Sequence, residues 1–295
     1  MEIAVYEIAN KYKLQIVGDA NRIITGATSL DNQKDDLITW VKSEKYLSMV
    51  SSGVVVVSES IMNSPKSNVV YLLSKTNVKL TFSKILQEFF EPKEDYFLVN
   101  EVSKHRKNPA LKISDNVFIG QNVTIGDGTV IFPNVVIEAN SVIGRNCVLK
   151  SHVSIGTEGL GLELNPENDL LEKFPQLGKV IFEDHVEIGP TSTVRRGALK
   201  DTIVRKGTKI GSLVNIGHNC DIGENCILTC NIVTSGSSKI GNNVFIGVNV
   251  VVNNAIDVGD DSQIGMGAVV TKTLPENVVA YGNPAKIIRK RYSDK

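Results

Sequence analysis

An aliphatic residue returns every six positions through more than half of this chain. Ile113, Ile119, Ile125, Ile131, Ile137, Ile143, Leu149 and Ile155 form one run. Val204, Ile210, Ile216, Ile222, Leu228, Thr234, Ile240, Ile246, Val252, Val258, Ile264 and Val270 form a second, in which only Thr234 is not aliphatic. A helix would need apolar spacings of three and four instead. Small or β-branched residues recur two places earlier, as Val117, Val123, Thr129, Val135, Ser141, Cys147 and Val153. Three places after the aliphatics come Asn116, Asn122, Gly128, Asn134, Asn140 and Asn146, and later Gly207, Asn219, Asn225, Asn231, Asn243 and Asn249. Asn and Gly tolerate positive φ. A left-handed corner every six residues, with short strands between, predicts a triangular coil. Three sides close one turn, so residues 18 apart stack about 4.8 Å above each other. Side chains alternate along a strand, which turns the aliphatic and the small residue inward. Such an interior has no place for a large aromatic.

Composition agrees with a folded, aliphatic-cored chain. Its 295 residues suggest about two domains. Hydrophobic residues make up 42%, which argues against disorder, while aromatics are only 6%, so the core must be aliphatic. The 32 basic and 32 acidic residues cancel, so no general nucleic-acid footprint is expected. Met1–Glu7 shows no basic segment ahead of an apolar run, so no secretory signal is expected. Runs such as Val54–Val57 are too short to span a bilayer. Four cysteines do not make a disulfide framework at this length. These features together lead us to expect a cytoplasmic protein.

The repeat over 108–275 resembles the hexapeptide-repeat acyltransferases, whose fold is a left-handed parallel β-helix. The fold class expected is therefore a β solenoid (left-handed parallel β-helix) preceded by a small α/β domain. The repeat breaks at 157–178, a polar stretch with Asn165, Pro166 and Pro175 that reads as a loop insertion leaving one corner. Its phase shifts again around Arg195–Lys200. Long insertions in solenoids often sit on a binding face, and an idle surface loop is the competing reading.

Residues 1–105 lack the repeat. Val54–Val57 and Asn68–Leu73 read as buried strands and Thr81–Phe90 as an amphipathic helix, which predicts a small α/β nucleotide-binding domain. Glu101–Pro109 is polar and ends in proline, so it reads as the linker. Val17-Gly18-Asp19, Ile24-Thr25-Gly26 and Ile38–Tyr46 resemble the amino-terminal domain of the UDP-3-O-acylglucosamine N-acyltransferase family of lipid A biosynthesis. That resemblance implies that Trp40 and Tyr46 flank the uracil of a UDP-linked sugar. Ser43 stands where the family has an Asn that reads the base edge. Stacking tolerates any base, whereas hydrogen bonds discriminate. The competing reading is that Trp40 and Tyr46 fill the core of this domain.

The solenoid resembles the same family at Val186–Gly189, at Thr191–Thr202 and at Asn215–Asn219. The resemblance implies that His218 is the general base and that the backbone N–H one coil above is the oxyanion donor. Position 236, which is 18 further on, is Gly236. Amide formation from a thioester needs an acceptor for the amine proton and a donor for the tetrahedral oxyanion, and neutral imidazole and a backbone N–H supply these. For His218 the competing reading is a solvent-facing turn residue. His152, His185 and His218 are 33 apart, a spacing that does not stack them on one edge unless the insertions correct the phase, and no metal is expected. Cys147, Cys220 and Cys226 fall in the inward small slot and read as packing residues.

The carboxyl end departs from that family. The lipid A enzyme has a second His near its acyl pocket, where this chain has about Ala255, and it ends in helices that engage acyl carrier protein. Here Gly267–Lys272 and Tyr281–Lys286 resemble acetyl-CoA-dependent sugar acetyltransferases, followed by a tail over 276–295. Lys272 and Lys286 are the candidates for the phosphates of CoA, with a solvated basic end as the alternative.

The expected function is transfer of an acyl group from a thioester of acyl carrier protein or CoA to the amine of a UDP-linked amino sugar. No tightly bound cofactor is expected. The resemblance implies a homotrimer with active sites between neighbouring solenoids. The alternatives are an acetyl-CoA-dependent nucleotide-sugar N-acetyltransferase for surface polysaccharide and a non-catalytic sugar-binding scaffold.

Overall fold

The computed structural model describes residues 2–292. They divide into two compact units, 1–91 with 160–177, and 92–159 with 178–295.

The first unit is built on a five-stranded sheet. Its order is Gln15–Val17, Val69–Ser74, Gly53–Ser58, Leu37–Val41, Gly26–Ala27. All neighbours are parallel except Gln15–Val17. Val54 to Val57 and Val69 to Leu72 are almost fully buried on both faces, which explains their unbroken apolar runs. The helix expected at 81–90 runs over Val78–Phe89. It starts earlier because the Asn77 side chain accepts the N–H groups of Lys79 and Leu80. Phe82 is buried on its inner face, 6.3 Å from the ring of Trp40 and 6.2 Å from that of Phe174.

Phe174 comes from the insertion in the repeat. Expected as a loop, that segment is an antiparallel hairpin, Leu162–Asn165 with Leu170–Lys173. Ser83 Oγ and Gln87 Nε2 both donate to the Lys173 carbonyl, and Lys79 Nζ lies 2.6 Å from Glu163. The hairpin thereby packs on the Val78–Phe89 helix as part of the first unit.

The second unit is a left-handed parallel β-helix, as the repeat predicted. Short strands fall into three parallel sheets of seven, ten and eight strands, the last strand of the ten-stranded one reversed. Partners are 18 apart over most of the helix, as in Thr124 with Val142 and Asn215 with Val233. Across the insertion the offset becomes 39, as in Val142 with Ile181. It is then 22 for one coil, as in Thr193 with Asn215, so that coil carries four residues more. Asn116, Asn122, Asn134, Asn140 and Asn146 all have φ between 54° and 67°, as corners require. His152, His185, Thr191 and Leu213 turn corners of the same conformation.

The inward column is buried from Ile131 to Val270, and at its start Ile119 is buried while Ile113 and Ile125 are partly so. One aromatic enters it, contrary to expectation. Phe182 is 1% exposed and stands in register between Ile143 and Val204. In the small slot, hydroxyls do more than fill space. Thr208 Oγ1 donates to the Gly223 carbonyl at 2.7 Å and accepts the Cys226 N–H at 2.9 Å, linking successive coils. Cys147, Cys220 and Cys226 are buried beside these groups, and burial pushes the Cys226 thiol up to about 11, so it stays protonated and inert.

Both ends of the column are covered. Val102–His105, within the expected linker, is a short helix against the first coil. The Glu101 N–H donates to Ile119 O, and Asn100 Oδ1 accepts the Ile119 N–H. Burial, and then the neighbouring Lys104, lowers the pKa of His105 there. At the other end, residues expected as a tail form a hairpin of Val278–Tyr281 and Lys286–Lys290 on the ten-stranded sheet. A solenoid must cap its ends because an open coil exposes its aliphatics. Residues 293–295 of the expected tail lie outside the described residues.

Candidate active site

His218 follows the strand Asn215–Ile216 and precedes a left-handed corner at Asn219, whose φ is 61°. The next coil brings Ser237 over it, with the Ser237 N–H donating to His218 O at 2.7 Å. Gly236 is thereby set against the imidazole. A Cβ on Gly236 would lie 2.5 Å from Nε2 and 2.6 Å from Cε1 of His218, so only glycine leaves the ring its place. Among the described residues the Gly236 N–H has no acceptor, as is also so for the equivalent N–H groups of Ser212 and Asn254, while those of Glu224 and Asn242 donate to side chains one coil on. The structure therefore sets an unpaired backbone donor beside Nε2.

The other ring nitrogen is held. His218 Nδ1 lies 2.9 Å from Asn219 Oδ1. The orientation of the Asn219 amide follows from its backbone partners. Its Nδ2 donates to Lys200 O at 3.1 Å, and its Oδ1 accepts the Ala198 N–H at 3.2 Å. The oxygen therefore faces Nδ1, which must carry a proton, so that in the neutral ring Nε2 is the lone-pair nitrogen. The backbone N–H of Asn219 donates to buried Thr202 Oγ1 at 2.8 Å, which fixes the corner itself. The sequence marked Asn219 only as a corner residue. Nothing in the repeat signalled Ala198, Lys200 or Thr202, because their roles depend on the coil with four extra residues.

The other candidates fall elsewhere. Trp40, Ser43 and Tyr46 share one strand-to-helix corner at the carboxyl end of the parallel strand Leu37–Val41, where ligands of parallel sheets bind. Trp40 is half-buried with one face towards Phe82, Ser43 precedes the Glu44–Leu47 helix without capping it, and Tyr46 is exposed with Lys45 Nζ 5.9 Å from its ring. They belong to the first unit, and His218 and Gly236 to the second. Lys272 and Lys286 are both exposed near the last coil. The insertions do not align the histidines. His152, His185 and His218 lie at three different edges, as shown by the backbone bonds Thr191 to Ser151, Gly207 to Asp184 and Ser237 to His218. Among the described residues, no three His, Cys, Asp or Glu side chains are grouped to hold a metal.

Comparison with known proteins places this geometry. The family description "Bacterial transferase hexapeptide (six repeats)" matches residues 122–157, and "Hexapeptide repeat of succinyl-transferase" matches 239–272. A UDP-3-O-acylglucosamine N-acyltransferase of Campylobacter lari is 32% identical over 79% of this chain and 77% of its own length. One from Polynucleobacter asymbioticus is 26% identical over 72% of this chain and 70% of its own length. Among solved structures, a UDP-N-acetylglucosamine acyltransferase of Francisella novicida superposes with a TM-score of 0.52 at 26% identity. It covers 61% of this chain and 66% of that one. The UDP-N-acetylglucosamine acyltransferase of Campylobacter jejuni, at a TM-score of 0.50 and 19% identity over 62% of this chain and 73% of that one, shares the fold.

Proposed function

Since the chain belongs to the UDP-3-O-acylglucosamine N-acyltransferase family, we propose that it moves an acyl group from a thioester to the amine of a UDP-linked amino sugar. The observation that carries this reading is the juxtaposition of His218 Nε2 with the unpaired N–H of Gly236. The neutral amine attacks the thioester carbonyl and a C–N bond forms. The carbonyl electron pair moves onto oxygen, where the Gly236 N–H stabilises it. His218 Nε2 takes the amine proton. Collapse of the oxyanion breaks the C–S bond, and the proton on Nε2 passes to the departing sulfur. Gly236 also lets the carbonyl approach the backbone closely, since it presents no side chain.

Trp40 and Tyr46 hold the nucleotide base in this reading, and Ser43 contributes a hydroxyl at its edge. Lys272 and Lys286 meet the phosphate of the donor, whether CoA or the phosphopantetheine of acyl carrier protein. The outward Val233 and Val251, stacked one coil apart and 38% and 37% exposed, support assembly of solenoids into a homotrimer. A cytoplasmic location fits such donors.

The test is a crossed panel of acyl-CoAs and acyl carrier proteins with UDP- and dTDP-linked amino sugars, read by mass spectrometry. One UDP-amino sugar should gain an acyl group. His218→Ala should abolish the transfer, and Trp40→Ala should weaken binding of the UDP-sugar. Transfer undiminished in His218→Ala would remove the mechanism, and unchanged nucleotide affinity in Trp40→Ala would remove the binding assignment.

A further inference from the structure

Arg196 is a cation with 2% of its surface exposed, in the wall of the solenoid. Its Nε donates to Gly156 O, and Nη2 donates to Ala139 O and to Glu138 Oε2, each at 3.3 Å. Its backbone N–H donates to Thr157 O at 2.9 Å, and the guanidinium lies 5.1 Å from the Phe97 ring. One side chain thus ties its own coil to the two before it. Burial pushes the Arg196 pKa down and that of Glu138 up, so both charges are held at a cost that an apolar residue would avoid.

What Arg196 anchors is the start of the four-residue bulge. Beyond it, the Gly178 N–H is shared between the carbonyls of Gly197 and Ala198. A Cβ on Gly197 would overlap the Lys200 carbonyl, so the bulge is as tight as glycine allows. The Ala198 N–H and the Lys200 C=O both lie in this bulge. They face the Asn219 amide, one as donor and the other as acceptor. An amide clasped in this way cannot flip without losing both bonds.

We infer that Arg196 is a positioning residue for His218: its guanidinium fastens the bulge, the bulge fixes the Asn219 amide, and that amide fixes the proton on Nδ1. The inference deepens the proposed function and rests on His218 as its base, yet the tautomer is measurable without any substrate. Arg196→Lys keeps the charge but cannot span Gly156 O, Ala139 O and Glu138 with one ammonium.

The experiment is nitrogen-15 NMR of the full-length protein labelled at histidine, with His218 assigned from the His218→Gln spectrum. The wild type should show His218 protonated at Nδ1. Arg196→Lys, shown to be folded by circular dichroism, should show a mixture of both tautomers. Its kcat should fall tenfold or more with the KM for the UDP-sugar unchanged. A folded Arg196→Lys that keeps the wild-type tautomer overturns the inference. If that variant does not fold, Gly197→Ala distorts the same bulge from within, and an unchanged tautomer there overturns it equally. A changed tautomer in Arg196→Lys, together with full activity of His218→Gln, would leave the positioning chain standing and remove the base assignment instead.

Discussion

At the scale of single residues, the site depends on how little space surrounds the imidazole. The placement of His218 against Gly236 was legible in advance, because an offset of 18 in an unbroken stretch of repeat means one coil. Gly236→Ala puts a methyl group 2.5 Å from Nε2, which the ring can relieve only by moving away from the oxyanion donor. The expected loss in kcat is about 10²- to 10³-fold, as for loss of one oxyanion contact, with little change in melting temperature. Steady-state kinetics beside a thermal melt would check this, and an active Gly236→Ala would refute the crowding. The clasp on Nδ1 was not legible. Asn219 looked like any of the other corner asparagines, and its second role exists only where the bulge turns backbone groups towards it.

Among elements, the coils show which repeat positions carry more than packing. The aliphatic column, the Asn and Gly corners and the strands followed from period and residue type alone, whereas the corners at Thr191 and Leu213 did not. The hydroxyls in the small slot did not, since Thr and Val are nearly the same size. Thr208 bridges Gly223 O and Cys226 N between coils, so Thr208→Val leaves both groups buried without a partner. That should cost about 1–3 kcal/mol of stability, while Thr208→Ser should recover most of it. Urea unfolding of the two variants gives the comparison. Equal stability of the Val and Ser forms would mean that the hydroxyl contributes nothing. Phe182 shows the opposite limit: a column of Ile and Val can admit one ring, and periodicity could not exclude it.

For the whole molecule, chain order and structural membership part company. Residues 160–177 interrupt the solenoid in sequence and belong to the first unit in space. Glu163 is central to that membership. Its hydrogen bond with Lys79, then that from Asn77, holds its carboxyl below the ordinary value of 4.5. A carboxyl whose pKa is depressed on folding contributes stability above its unfolded pKa and loses it as pH falls through the folded value. The hairpin should therefore loosen as pH drops below about 4.5. Amide exchange of peptides from 162–173, corrected for intrinsic rate, should accelerate there in the wild type. In Glu163→Gln it should be faster already at neutral pH and change less on acidification. Identical pH profiles in the two proteins would show that another group anchors the hairpin.

The sequence by itself determined the coil: a period of six fixes strand and corner, and aliphatic side chains at that period can be buried in only one way. It also supplied the pairing of His218 with position 236, because the repeat converts distance along the chain into height. Only the tertiary structure decided where the breaks in the repeat go. A break carries no period, so its direction depends on partners distant in sequence. Asn77, Lys79 and Phe82 receive the hairpin, and Glu138, Ala139 and Gly156 receive Arg196. The proton on His218 depends on the second of these breaks, which is why the orientation of the proposed base was invisible until the coils were stacked.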